Sequence, residues 1–127
     1  MQVITAVAAM RAFSRAAREA GKRVGLVPTM GALHRGHLSL VERARAECGA
    51  VVVSIYVNPL QFGPSEDFRA YPRDPDRDRS LAGSAGCDVL FVPPDEGIHV
   101  PGHRTLVEVQ GMQDVLCGRS RPGHFRG

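Results

Sequence analysis

An α/β fold, a parallel sheet with helices on both faces, is predicted by three features of the sequence. Apolar runs without alternation, Val24–Val27, Ala50–Val57 and Asp88–Val92, read as strands buried on both faces. Segments of helical periodicity separate them, the arrangement that gives parallel sheets. Proline closes each run, at Pro28, at Asn58-Pro59 and at Pro93-Pro94. The chain has 127 residues, 43% apolar and 23% charged, which is one globular domain by length and composition. A chain of that size can bury roughly two-thirds of its surface without disulfides.

Val3-Ile4 reads as a short first strand, with Thr5 as the N-cap of a helix. Met10, Phe13, Ala17 and Ala20 then repeat at helical spacing, with Arg11, Arg15, Arg18, Glu19 and Lys22 on the other face. Gly21 stands where a helix end requires a left-handed residue. After the strand Val24–Val27 comes a Gly-containing loop, then a helix from near Gly36 that lines Leu38, Val41, Ala44 and Cys48 along one face. Ala50–Val57 is the strongest strand, being β-branched and ended by Asn58-Pro59. The acidic stretch Glu66–Ala85 predicts one or two short helices. In it Asp74, Asp76 and Asp78 alternate with Pro75, Arg77 and Arg79, which predicts a solvated helix start and not a calcium loop. Thr105–Val109 alternates like an edge strand, and Met112–Leu116 predicts a short helix. The last ten residues carry no core pattern.

Charge and composition exclude several functions. The net +3 divides into +5 over residues 1–65, −4 over 66–97 and +2 over 98–127. A nucleic-acid binder needs a sustained basic face, which this distribution lacks. Trp is absent, so stacking platforms for single strands are poorly supplied. An anionic small molecule is the expected partner, and 15 of the 16 cations are Arg, suited to bidentate oxyanion contacts. No apolar run approaches the roughly 18 residues of a membrane span. The apolar start precedes its positive charges, unlike a signal peptide. Cys48, Cys87 and Cys117 are odd in number and lie 30 or more residues apart, which fits neither a disulfide framework nor a zinc site and suits a reducing cytoplasm.

In open parallel sheets ligands bind beyond the carboxyl ends of the strands, which directs attention to the segments after Val27 and Val57. The first is Pro28-Thr29-Met30-Gly31-Ala32-Leu33-His34-Arg35-Gly36-His37. A strand-to-helix turn presents backbone N–H groups and the positive helix end to a phosphate. Gly31 and Gly36 remove side chains where a ligand would approach. His34 and His37 share a face at i and i+3, where two imidazoles can donate to a phosphate gaining charge. A generic Gly-rich turn, a metal-binding pair and two surface histidines without a role stay open on these residues alone. The loop is neither a Walker A loop nor G-x-G-x-x-G.

The His34-x-Gly36-His37 string resembles the signature of the nucleotidylyltransferase superfamily, related to the class I aminoacyl-tRNA synthetases. The longer string PTMGALHRGHLSL narrows the resemblance to the pantothenate synthetases, or pantoate–β-alanine ligases. VNPLQFGPSEDFRAYPR (Val57–Arg73) and SRPGHFRG (Ser120–Gly127) resemble the same family in the same order. The resemblance implies a Rossmann-like sheet and a two-step reaction. Pantoate and ATP, with Mg²⁺, give pantoyl adenylate and pyrophosphate; the amine of β-alanine then displaces AMP to give pantothenate. It implies that Met30, Gly31, Ala32, Leu33, His34, Arg35, Gly36 and His37 hold ATP. His34 and His37 would stabilise charge on the phosphate, His37 as proton donor. No protein metal ligands are expected.

By the same resemblance Asn58 and Gln61 contact pantoate, Gln61 also reaching β-alanine, and Phe62 offers an apolar wall to the gem-dimethyl group. Arg121 could meet a carboxylate and His124 could line the pantoate pocket, the other reading being a polar disordered tail. The family pattern continues with a Gly-x-Lys-Asp loop, a Gln and a Ser-Ser-Arg segment that are not found here. The expectation is therefore an incomplete nucleotide-binding domain over residues 1–127, without the C-terminal domain. It would be cytoplasmic and a weak catalyst alone, and would form a homodimer to which Thr105–Val109 contributes. Another H-x-G-H adenylyltransferase and a non-catalytic nucleotide-binding module are the alternatives.

Overall fold

The β-branched run Ala50–Ile55 forms an inner strand, β3, because it has apolar side chains to bury on both faces. The computed structural model describes residues 1–63 and 68–126. Their element order is β1 (Gln2–Ile4), α1 (Val7–Glu19), β2 (Val24–Thr29), α2 (Arg35–Glu47), β3, α3 (Pro75–Ser84), β4 (Val89–Phe91), α4 (Asp95–Ile98) and α5 (Cys117–Ser120), with 3₁₀ turns at Pro59–Gln61 and His124–Arg126. The sheet is entirely parallel, in the order β1-β4-β3-β2. Val27 pairs with Val53, and Val53 in turn with Leu90.

Strand periodicity assigns the two cores. Val51 and Val53 face one way, joining Val27, Leu33, Leu90, Val41 of α2 and Ala82 of α3. Val52 faces the other way with Ile4 and Val89, against Met10 and Phe13 of α1. Helices therefore cover both faces, as the unalternating strands require. Gly21 follows α1 with φ +72°, the expected left-handed end.

Several local expectations are corrected. Thr5 does not cap α1; the N-cap is Ala6, extended and without a side-chain bond. β2 is not closed by Pro28 but runs through it to Thr29, and it is an edge strand, with Leu26 61% exposed. Proline is tolerated there because an edge strand leaves one side of its backbone unpaired. β3 stops at Ile55, two residues short of Val57. The acidic stretch does form a short helix as expected, α3, whose N-cap Asp74 accepts from Arg77 N at 3.1 Å; Glu66 and Asp67 lie outside the described residues. Thr105–Val109 is not a strand: it pairs with neither edge of the sheet, and Val107 is 79% exposed. Met112–Leu116 forms turns, and the helical turn comes one residue later as α5. The final segment is not a loose tail but folds back on the 3₁₀ turn after β3.

Candidate active site

The carboxyl ends of β2 and β3 are fastened to each other by Thr29. Its hydroxyl donates to Ser54 O at 2.8 Å and accepts from Gly31 N at 3.2 Å, while Tyr56 N donates to Thr29 O at 3.0 Å. From this point the chain turns through Gly31 and Ala32, both at positive φ (+86° and +51°), into α2. Leu33 is fully buried in the core, so its side chain anchors the loop.

His34 is the N-cap of α2. Its Nδ1 accepts from Gly36 N at 3.1 Å, and His37 Nδ1 accepts from His34 N at 3.4 Å, a reciprocal capping box made of two imidazoles. Gly36 gives this geometry room, since a Cβ there would lie 3.0 Å from the His34 ring. An imidazole that accepts through Nδ1 is a neutral ring carrying its proton on Nε2. Burial lowers the His37 pKa, the neighbouring His34 lowers it further, and Asp78 opposes both. Each ring thus spends Nδ1 on a backbone N–H and keeps Nε2 for another partner at the helix N-terminus.

His37 lines a groove of about 390 Å³ with Met30, Tyr56, Asn58 and Gln61. Asn58 Oδ1 is already engaged, accepting from Leu60 N at 3.1 Å and His99 Nε2 at 3.0 Å, so Asn58 offers the groove its amide N–H₂. Gln61 also lines an adjacent cavity of about 420 Å³ with Phe62, Leu106 and His124. Arg121 and His124 reach this point from the end of the chain. Arg121 Nη2 donates to Gln61 O at 3.1 Å, His124 Nδ1 donates to the same oxygen at 3.0 Å, and the guanidinium lies 5.7 Å from the Phe62 ring centre. Phe62 packs edge-on against Phe68 and Tyr71. Arg35 extends into solvent and pairs with Glu42 at 3.0 Å.

Asp78, read from the sequence as part of a solvated helix start, is instead 2% exposed. Its carboxylate accepts from Ala32 N at 2.9 Å and Leu33 N at 2.7 Å, while Arg77 donates to Leu33 O at 3.2 Å. The missed signal was its register: Asp78 precedes Ala82 by four residues and Ala85 by seven, on the buried stripe of α3. Tyr56 and His99 were also missed. The Tyr56 pKa is pushed up to about 12, by burial first and then by Asp95. No pattern in the sequence joins His99 to Asn58.

Residues 2–127 match the family model for pantoate-beta-alanine ligase. The chain is 54% identical over its whole length to the pantothenate synthetase of Moorella thermoacetica, and 61% identical over 87% of its length to that of Shouchella clausii. It covers 45% and 37% of those relatives, so it spans somewhat under half their length. The crystal structure of pantothenate synthetase from Thermus thermophilus superposes with a TM-score of 0.85 at 49% identity, over 99% of this chain and 44% of that one. Pantoate-beta-alanine ligase from Francisella tularensis, complexed with beta-gamma ATP and beta-alanine, superposes with the same TM-score of 0.85 at 37% identity, over 100% of this chain and 49% of that one.

Proposed function

The chain belongs to the pantoate–β-alanine ligase family, and from that premise we propose that its two-histidine cap serves carboxylate adenylation. In this reading pantoate attacks the α-phosphorus of ATP, forming pantoyl adenylate and releasing pyrophosphate. The amine of β-alanine then attacks the acyl carbon, giving pantothenate and AMP. The observation that carries the reading is the reciprocal cap: both Nδ1 atoms serve the helix start, which leaves both Nε2–H groups as donors for a phosphate gaining charge. His37 then acts as a hydrogen-bond donor rather than as an imidazolium.

The Met30–His37 segment holds the nucleotide, with Leu33 as anchor. Asn58 and Gln61 address pantoate from the far side of the groove, and Gln61, shared by both cavities, also meets β-alanine. Phe62 and His124 form the wall of the second cavity. Arg121 acts by holding the Gln61 carbonyl and stacking on Phe62. Magnesium, when bound with ATP, would supply charge neutralisation on the triphosphate. The cap's own donors, imidazole and backbone N–H, are the wrong chemistry for a magnesium cage.

Both imidazoles spend Nδ1 on the helix start and Arg35 is paired with Glu42, so these 127 residues alone should bind ATP weakly and turn over slowly. No helix among the described residues is long and apolar enough to cross a membrane, and a cytoplasmic homodimer is the expected setting. Pyrophosphate release dependent on pantoate, joined to calorimetric titration with ATP and pantoate, tests the assignment. Binding of ATP without adenylate formation would favour a nucleotide-binding module instead. Adenylation of phosphopantetheine in place of pantoate would move the chain to another H-x-G-H activity.

A further inference from the structure

Two successive N–H groups in the loop before His34 point at one carboxylate. Gly31 and Ala32 are consecutive residues at positive φ, and the two amides that follow them present their N–H groups to a single anion. That anion is the protein's own: Asp78 Oδ2 meets Ala32 N and Asp78 Oδ1 meets Leu33 N. Alanine at positive φ is unfavourable without a contact that holds it there. The fit is close on the other side too, since a Cβ on Gly31 would stand 3.0 Å from Asp78 Oδ2. Arg77, the preceding residue of α3, takes the Leu33 carbonyl at 3.2 Å. Leu33 is thus gripped by its N–H, its C=O and its buried side chain, one residue before the cap.

We propose that Asp78 is the positioning residue of the two-histidine cap: by accepting from the Ala32 and Leu33 amides it fixes Leu33, and through Leu33 the register in which His34 and His37 close on each other. A phosphate entering the site therefore meets imidazoles, because the Ala32 and Leu33 amides are already engaged. The effect on catalysis rests on the adenylation reading above; the hold on the histidines does not.

Heteronuclear NMR of the ligand-free chain separates positioning from plain structural support. In the wild-type protein above pH 7, the ring nitrogens of His34 and His37 should each report a single Nε2–H tautomer, against a mixture at exposed His103. The Ala32 and Leu33 amides should exchange roughly 10- to 100-fold more slowly than exposed loop amides such as Arg104, the protection expected of a hydrogen bond to a charged acceptor. Asp78→Asn turns an acceptor oxygen into an N–H₂ facing an N–H. It should remove that protection and return both rings to a mixture, while the amides of Val51–Val53 stay unchanged. Native ring signals in a folded Asp78→Asn variant would overturn the proposal. If that variant does not fold, the wild-type exchange rates decide: slow exchange supports the proposal, and exchange as fast as Arg104 sinks it. Adenylate formation is assayed separately, and its absence with the tautomer signature intact would count against the adenylation reading alone.

Discussion

The imidazoles of His34 and His37 lie 4.0 Å apart, centroid to centroid, and are tilted by 34°. Each spends Nδ1 on a backbone N–H at the start of α2. Helix capping and the proposed phosphate chemistry thus use opposite nitrogens of the same two rings, so substitutions can divide the two functions.

His34→Asn should keep the helix and lose the chemistry. Asparagine is among the best N-cap residues, so the midpoint of urea unfolding should hardly move. His34→Ala, which removes the cap, should cost about 1 kcal/mol. Both lack the Nε2–H donor, and both should lower adenylate formation roughly 10²- to 10³-fold. A large stability loss in the asparagine variant would contradict the capping role.

Gly36→Ala should disturb the site more than the fold. Alanine is favoured over glycine inside a helix by about 1 kcal/mol, yet its Cβ would press on the His34 ring at 3.0 Å. The ring must give by a few tenths of an ångström, against its bond to the Gly36 amide. Thermal stability should therefore be nearly unchanged while the His34 tautomer signature and adenylation fall together. Retention of both would show that the ring has room the structure does not provide.

Stability should depend on pH through His37. Its pKa is lowered from about 6.5 by burial and then by His34, so the unfolded chain binds the proton more readily than the folded one. Stability then rises with pH across this window. The contribution is complete above about 6.5 and is lost progressively as pH falls from there through the lower, folded value. Urea midpoints between about pH 8 and pH 5 should decline, and His37→Gln should flatten the slope; an unchanged slope would remove His37 as its source.

Leu33→Ala tests whether the loop is anchored by the core. The side chain is fully buried with Val41, Val53 and Ala82, and truncating such a leucine costs roughly 2–5 kcal/mol. Because the same residue holds the backbone bonds to Asp78 and Arg77, exchange at Ala32 should quicken as well. A loss below about 1 kcal/mol in urea unfolding would mean that the loop packs elsewhere.

Much of this architecture is legible in a single sequence, because its signals are local. The run Val51–Val53 is β-branched and apolar at consecutive positions, which suits a strand covered on both faces, and it faces two cores. The i, i+3 spacing of His34 and His37 puts both rings at a helix start without any structure. Pairing is not local. Within Val24–Thr29 only Pro28 marks an edge strand, and it reads equally as the end of a strand, while Thr105–Val109 alternates as an edge strand would but has no ladder to join. Asp78 reaches Leu33 across 45 residues of sequence, and a charged residue between two arginines reads as solvated until its register with Ala82 is weighed. Arg121 and His124 converge on Gln61 from about 60 residues away, a contact that spacing alone could not supply.

The segment that fails as a strand leaves apolar surface with no cover among the described residues. Leu106, Val107, Val109, Met112 and Leu116 are all exposed, Leu116 by 86% and Val107 by 79%, and Val107, Val109, Met112 and Phe125 line a shallow hollow. Exposed apolar side chains gathered at such a hollow favour association. Sedimentation at tens of micromolar should therefore detect a dimer. Val107→Asp should shift the chain to monomer without moving its unfolding free energy by more than about 0.5 kcal/mol, since an exposed position carries little of the fold. A wild-type chain that sediments only as monomer would leave this surface without a role in self-association.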